Sequence, residues 1–496
     1  MKQKKQYKTK LQIVLMLFTG IFLCAQYSLA VELLSLDNAI ETAMSNSPAI
    51  KRTELSLIQS TEFLNARKAS LKSNFSLRLN PFSFDSDRRF NDYFSKWNTN
   101  ETKRSSGTFT IAQPIVQTDG TLRLNNTLSW QNSFSEQGGR NKTFDNNLFV
   151  EYSQPIFTYN TTKMELSELE LDIQNSQYNY ALQKLSLEQG VTQSFYNVYQ
   201  AKMTLDISEE ELKNSEASYE IQKNKVEAGL LSSDELYQAE LILANSQLSV
   251  LNNRISLENI LDTFKIQLGI SIYDSIDVFT DVTHKTIDVD IEKALNHGLR
   301  TRMELRQMEN DIQEAINNLT VTAARNEFKG NVTLSYGIIG TDQDFGNVYE
   351  NPTNKQGVGL SFDIPLWDWG ESAARMKAAE AGVDRTELSL EDLRNDIILN
   401  IRSAHRNLEN LVIQIDIARQ SVRNAQLTYD INLERYRNGD LTSMDLSLIQ
   451  EQLSSANQGE VRSLIDYKMA LLNLKILSLW DFENNVSVLP EDINLE

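Results

Sequence analysis

The chain has 496 residues, a formal net charge of −19 and a single cysteine. The acidic balance argues against a nucleic-acid partner, whose binders carry basic patches. One cysteine leaves no disulfide framework, and length alone would suggest about three domains.

Residues 1–30 read as a secretory signal peptide. Lys2, Lys4, Lys5, Lys8 and Lys10 precede an apolar run from Leu11 to Cys24, and Ser28 and Ala30 stand at −3 and −1 of a cleavage site. The run is short for a bilayer span, and the bulky Leu23 ahead of Cys24 argues against a lipid anchor. No other long apolar run follows, so nothing suggests a helical membrane protein.

The spacing then predicts a helix over 36–72. Phe75, Leu77 and Leu79 alternate with Ser76, Arg78 and Asn80, the period of a strand with one apolar face. A polar stretch, 85–106, reads as a loop. A hairpin follows: 108–116, a tight turn at Gln117-Thr118-Asp119-Gly120, then Leu122, Leu124, Leu128 and Trp130 among polar residues. A second polar stretch, 134–146, also reads as a loop. Leu148, Val150 and Tyr152 mark another strand, which ends at a corner at Pro155.

Helices are predicted over 158–228, 232–268 and 288–328. Two strands lie within 331–364, with a polar loop over 340–356 between them, and Pro365 forms a second corner. Helices over 369–438 and 442–478 precede a tail at 481–496. None of the seven prolines lies between 156 and 351 or between 366 and 489, so long helices are permitted there. Ile397, Ile401, Ala404, Leu408, Leu411, Ile415, Ala418, Val422 and Ala425 step alternately by four and three, a coiled-coil seam. In the earlier long helix, Leu166, Ile173, Tyr180 and Leu187 form one stripe and Leu171, Tyr178 and Leu185 another. The stripes lie about 140° apart, as on a stave with neighbours on both sides. A simple helical bundle, burying one broader stripe, is the alternative.

The chain is duplicated. From Pro155 to Gly229, and from Pro365 to Gly439, is 74 residues in each case. The repeats are 31–280 and 281–480, and each long helix would span about 105 Å at 1.5 Å per residue. The first repeat has the larger strand region. Four to six strands cannot close a membrane barrel within one chain, and an open edge in lipid leaves backbone groups unpaired. The chain must therefore assemble with copies of itself. Gly229 and Gly439 are placed to end the long helices in the left-handed conformation. Ser232 or Ser233, and Thr442 or Ser443, can cap the return helices. The three histidines, His284, His297 and His405, lack metal-ligand spacing. No nucleophile motif or phosphate loop appears, so neither enzymatic chemistry nor a cofactor is expected.

Over essentially all of residues 31–480 the chain resembles the TolC-type outer-membrane efflux proteins. The resemblance is carried by Leu36-Asp37-Asn38-Ala39-Ile40 with Ser47-Pro48-Ala49-Ile50, by Gln154-Pro155-Ile156-Phe157 and Ile364-Pro365-Leu366-Trp367, by Glu227-Ala228-Gly229-Leu230 and Arg435-Tyr436-Arg437-Asn438-Gly439, and by the helix ends at Gln267-Leu268-Gly269-Ile270 and 471–478. It implies a mixed α and β fold: long coiled-coil helices in a periplasmic α-barrel, joined to a transmembrane β-barrel shared between protomers in outer-membrane lipid. It also implies a homotrimeric exit duct of an efflux or type I secretion system. The duct would work with a periplasmic adaptor and an inner-membrane transporter of RND, ABC or MFS type. The family norm is four strands per protomer, and the hairpin near 108–133 departs from it.

By the same resemblance, Gly229, Leu230, Ser232, Gly439, Leu441 and Thr442 form the periplasmic tip that meets the adaptor. Asp445 matches an aspartate lining the entrance, where three copies would make a carboxylate ring favouring cations. The family's second aspartate is Leu448 here. Tyr436 matches a tyrosine tied to an acid of the other hairpin, whose position is held by Glu235, while the family's partner arginine is Leu441. The other reading of the whole chain is a periplasmic coiled-coil scaffold without a channel.

Overall fold

The computed structural model describes residues 32–489 apart from 94, 137, 231, 280–284 and 326; the signal-peptide reading and His284 fall outside them. The elements, in chain order, begin with β1 (Glu32–Leu34), α1 (Leu36–Asn46) and α2 (Pro48–Ser70). Four strands follow: β2 (Asn74–Asn91), β3 (Lys96–Ile115), β4 (Gly120–Ser135) and β5 (Gly139–Ile156). Then come α3 (Thr161–Glu227), α4 (Ser233–Leu268), β6 (Ile276–Val278), α5 (Ile291–Thr301) and α6 (Met303–Arg325). The chain continues through β7 (Lys329–Asp342), β8 (Thr353–Asp363), α7 (Glu371–Asn438) and α8 (Ser443–Ser478), and closes with β9 (Trp480–Asp481) and β10 (Val486–Ser487). They divide between two compact units: Met1–Thr53, Tyr180–Arg302 and Asp396–Glu496 form one, and Glu54–Asn179 with Met303–Asn395 the other.

The duplication extends to the length of each helix. α1 and α5 have 11 residues each, α2 and α6 have 23, α4 and α8 have 36, and α3 and α7 have 67 and 68. The two helices predicted as continuous over 36–72 and 288–328 are both broken. Ser47 sits at ψ 127° and Arg302 at ψ 126°, each directly after an 11-residue helix. Pro48 explains the first break, because its ring pushes the preceding residue out of the helical region. The second has no proline, yet Arg302 takes the same conformation and its guanidinium reaches the carbonyl of Leu477 at 3.5 Å.

In the first unit, Val191, Phe195 and Val198 of α3 pack with Phe264 and Leu268 of α4 and with Ala39 and Ala43 of α1. Leu34, Ile276 and Val278 of the parallel β1–β6 pair close the same core. The Phe195 and Phe264 rings meet nearly edge-to-face at 6.1 Å. The α7 seam is buried from Ile397 through Ile415. His297 and His405 serve structure: each places a ring nitrogen on a backbone carbonyl, that of Ser478 at 2.9 Å and of Val289 at 3.2 Å.

The second unit holds a six-stranded antiparallel sheet in the order β2-β3-β4-β5-β7-β8. Two predicted loops are strand instead. Residues 85–91 pair with 96–102, and 134–135 with 139–140. Apart from Phe90, Trp97 and Phe134 these stretches are polar, which weakens the period-two signal without removing the backbone pairing that makes a strand. The loop over 340–356 is partly strand too; between Asp342 and Thr353 it carries a 3₁₀ turn, Phe345–Tyr349.

The register places apolar side chains in shared rows. Phe75, Ile111, Leu124, Val150 and Tyr336 stand opposite one another from β2 to β7, and Gln113, Leu122, Tyr152, Leu334 and Val358 from β3 to β8. Ser76, Thr110, Asn125, Phe149 and Gly337 form a row of opposite parity, which is mostly polar. One face of the sheet is therefore apolar, and on it Leu77, Leu122, Leu334, Val358 and Leu360 are exposed in the single chain.

Both long helices start later than predicted, at Thr161 and Glu371, six residues after Pro155 and Pro365. Positive-φ residues turn each corner: Phe157 in the first, Trp369 and Gly370 in the second. The two starts are capped differently. α7 uses its own Asp368, which accepts from the N–H groups of Gly370 and Ser372 at 3.0 and 2.9 Å. α3 uses Asn160, which accepts from Lys163 N–H at 2.8 Å, together with Asp119 from the β3–β4 turn. Asp119 accepts from the N–H groups of Thr161 and Thr162 at 3.1 and 3.2 Å and from both hydroxyls.

Partial burial works against the Asp119 carboxylate, but the hydrogen bonds from Thr161 and Thr162 outweigh it and hold its pKa below the ordinary 3.8. A group with a depressed folded pKa stabilises above its unfolded value and loses that contribution as pH falls through the folded one. Asp119→Ala should therefore cost about 1 kcal/mol, the usual worth of an N-cap, near neutral pH. The difference from the parent should shrink as pH falls below the ordinary carboxylate value of 3.8 and on through the lowered folded one. Urea unfolding at several pH values checks this; a penalty that persists unchanged in acid would contradict it.

Candidate functional site

The two helix hairpins of the first unit, α3–α4 and α7–α8, end in the same way. Gly229 and Gly439 take φ of 69° and 89°, a region that suits glycine. In each, the glycine N–H reaches back three residues and the next N–H five: Gly229 to Val226 and Leu230 to Lys225, then Gly439 to Tyr436 and Asp440 to Arg435. This is the Schellman ending, which satisfies the last carbonyls of the long helix. A Cβ on either glycine would meet open space, so backbone conformation alone selects the residue.

The return helices differ at their starts. Thr442 caps α8: its hydroxyl accepts from Asp445 N–H at 3.2 Å and donates to the Asp445 carboxylate at 2.7 Å. Ser232 holds the equivalent place on α4 in extended conformation but makes no side-chain cap bond. Asp445 is thus a partner of its own helix cap, and it remains exposed to solvent. Leu448 is 56% exposed and Leu230 74%. Leu441 is half-buried and packs against the cluster of Tyr429, Tyr436 and Leu446.

Tyr436 is the best-buried tip residue, 1% exposed. Its hydroxyl does not meet Glu235, as the resemblance implied. It lies 2.5 Å from Ser218 Oγ, 3.3 Å from the Ser218 carbonyl and 3.4 Å from Ser443 Oγ. Gln222 Nε2 donates to Ser443 Oγ at 2.8 Å. Two hydroxyls and a carbonyl already serve the phenol in a site without water access, so an acid is not needed. Lys225 Nζ sits 3.4 Å from the carbonyls of Tyr436 and Arg437 and 5.7 Å from the Tyr436 ring centre. A cation there complements the C-terminal end of α7. Glu235 Oε2 is buried without a hydrogen-bond partner.

The hairpins are therefore clasped inside one protomer by a mainly neutral network joining α3 to α7 and α8. Sequence reasoning missed Ser218, Gln222 and Lys225. Their only signal was spacing: positions three and four apart put them on one helix face. The charges of Glu210 and of the adjoining Asp430 add to the burial that raises the phenol pKa of Tyr429 in the same cluster. Among the described residues, no helix is long and apolar enough to cross a membrane, and no group of acidic, histidine or cysteine side chains gathers to hold a metal.

Comparison with known proteins agrees with this geometry. No curated protein sequence matches the chain. Solved structures do: the Campylobacter jejuni CmeC outer membrane channel superimposes with a TM-score of 0.69 at 16% identity, covering 93% of this chain and 87% of that one. The Neisseria gonorrhoeae MtrE outer membrane channel in its open state gives 0.65 at 15% identity, covering 89% and 88%. The Vibrio cholerae outer membrane protein VceC gives 0.64 at 14%, covering 89% and 96%. The family model described as outer membrane efflux protein matches residues 115–265 and 291–478. That is well over half of the chain, which therefore belongs to the outer membrane efflux protein family and shares the fold of its channels.

Proposed function

We propose that three copies of this chain form an exit duct through the outer membrane, taking substrates from a periplasmic adaptor and an inner-membrane transporter of RND, ABC or MFS class. The observation that carries the reading is the sheet of the second unit, apolar on one face in shared rows and polar on the other. That pattern suits strands between lipid and a water-filled lumen. Family membership supports the trimer and the adaptor.

The tip then supplies the periplasmic entrance. Asp445 and Leu448, both exposed in the single chain, would face the axis as a carboxylate ring above an apolar ring. Tyr436 would hold the entrance closed from within each protomer through Ser218 and Ser443, and Glu235 would be the acid at the start of the other return helix. Gly229, Leu230, Ser232, Gly439, Leu441 and Thr442 would present the turns to the adaptor, with Leu230 the most exposed apolar anchor. Pro155 and Pro365 mark the strand-to-helix corners at the other end of the long helices.

Reconstitution of the purified protein in planar lipid bilayers tests this. Discrete channels blocked by divalent cations are expected, and Asp445→Ala should relieve that block several-fold. Loss of the carboxylate ring removes the charge that draws cations into the constriction. A protein that stays monomeric and opens no channel would favour the scaffold reading.

A further inference from the structure

The sheet of the second unit has two open edges. β2 pairs only with β3, and β8 only with β7. Every residue of β8 is exposed in the single chain, and so are Phe75, Leu77 and Leu79 of β2. Strands in lipid cannot leave a row of N–H and C=O groups unpaired. Six strands is an even number, so β8 runs opposite to β2, and a neighbour's β2 can continue the sheet in the antiparallel sense used throughout it.

The additional hairpin belongs to the wall and does not plug the lumen. β3 and β4 pair without a break from Asn100–Ser135 to Ile115–Gly120, and β4 and β5 from Thr121–Ser153 to Ser135–Gly139. Ile111 and Leu124 lie in the same apolar row as Phe75 and Val150, so the hairpin has the same lipid-facing parity as the strands around it. Its turn is anchored at the corner level: Asn160 Nδ2 donates to Val116 O at 2.7 Å, Gln154 Nε2 to Thr118 O at 2.6 Å, and Asp119 caps α3. The hairpin therefore runs the full height of the sheet. The one irregularity of β2, the register shift between Asn80 and Ser83 around Pro81, lies on an edge strand, where proline is tolerated.

We infer that the occupant of each open edge is a second copy of this chain, with β8 of one protomer pairing with β2 of the next, so that the trimer closes an eighteen-stranded barrel. This rests on the trimeric duct proposed above and departs from the four strands per protomer that the resemblance implies. Barrel diameter grows about linearly with strand number. The outer-membrane pore would be about half again as wide as one built from four strands per chain. Barrels of this size enclose an aqueous channel, which moves the limiting constriction to the helical tip and suits bulky cargo at the exit.

Electron cryo-microscopy of the full chain in lipid nanodiscs, with strands counted in the membrane ring, is the direct test. Eighteen strands around a threefold axis are expected. Cysteines placed singly at Phe75, Leu77 or Leu79 on β2 and at Val358, Leu360 or Phe362 on β8 should, in at least one pairing, give a covalent trimer on oxidation. Cysteine at Ile111 in the sheet interior, combined with the same β8 positions, should give none. A trimer with a closed ring of twelve strands and one hairpin outside it, or covalent linkage of β8 to Ile111→Cys of a neighbour, overturns the inference while leaving the duct standing. Absence of any trimer removes the duct reading itself.

Discussion

Tyr436→Ala should open the entrance. The substitution removes a fully buried ring, a loss of about 3–5 kcal/mol in a core that cannot collapse to fill it. It also takes the phenol away from Ser218 and Ser443, whose hydroxyls meet it. Each buried polar group left without a partner costs about 1–3 kcal/mol. Single-channel conductance in planar bilayers should therefore rise well above that of the parent. Limited trypsin digestion should reach Lys225, Arg435 and Arg437 sooner. Tyr436→Phe keeps the ring and loses only the hydroxyl, so its conductance should lie between the two. A Tyr436→Ala trimer with the conductance of the parent would show that the clasp does not control the entrance. The clasp's core bonds are made by neutral groups, so deletion of Glu235 by Glu235→Gln should leave conductance near the parent value.

The second large effect lies in the sheet. Leu124→Arg on β4 would place a guanidinium in the middle of the apolar rows, between Ile111 and Val150. Arginine on the lipid face of a membrane barrel costs about 2–4 kcal/mol near the midplane. The next residue, Asn125, lies between Thr110 and Phe149 on the opposite face, so Asn125→Arg should be tolerated and alter only ion selectivity. Recovery of heat-resistant trimer from outer-membrane fractions distinguishes them. Equal loss from both variants would mean that the sheet does not separate lipid from water.

Much of the architecture was legible because it is repeated. Two prolines and two glycines at one spacing, with no proline between, leave few ways to arrange the long helices, and the hairpin turns fall where glycine must adopt positive φ. What was hidden shares a physical cause: the determining partner is distant in sequence. Asp119 looks like an ordinary turn residue until it meets Thr161 and Thr162. Ser218 and Gln222 sit in a helix rich in Glu, Ser, Gln and Lys, where any polar residue reads as a solvated face. Arg302 breaks its helix with no proline to explain it, and only comparison with Ser47 in the other repeat exposes the pattern. The polar ends of β2 to β5 were misread as loops for a different reason. Outside the apolar rows a strand has no dry face, so hydrophobic alternation fades while hydrogen-bond pairing continues. At the hairpin ends the resemblance paired Tyr436 with Glu235, whereas its hydroxyl meets Ser218 and Ser443, because family position carries no information about which neighbouring side chain reaches the hydroxyl first.

The central question is which side of the sheet meets lipid. Single cysteines at Leu334 and Leu360, on the apolar face, and at Ser335 and Ser361, on the opposite one, can be challenged in intact outer membranes with a lipid-phase reagent and an aqueous maleimide. Lipid-phase labelling is expected at Leu334→Cys and Leu360→Cys alone, and aqueous labelling at Ser335→Cys and Ser361→Cys. Aqueous labelling at all four, with none from the lipid phase, would contradict this placement.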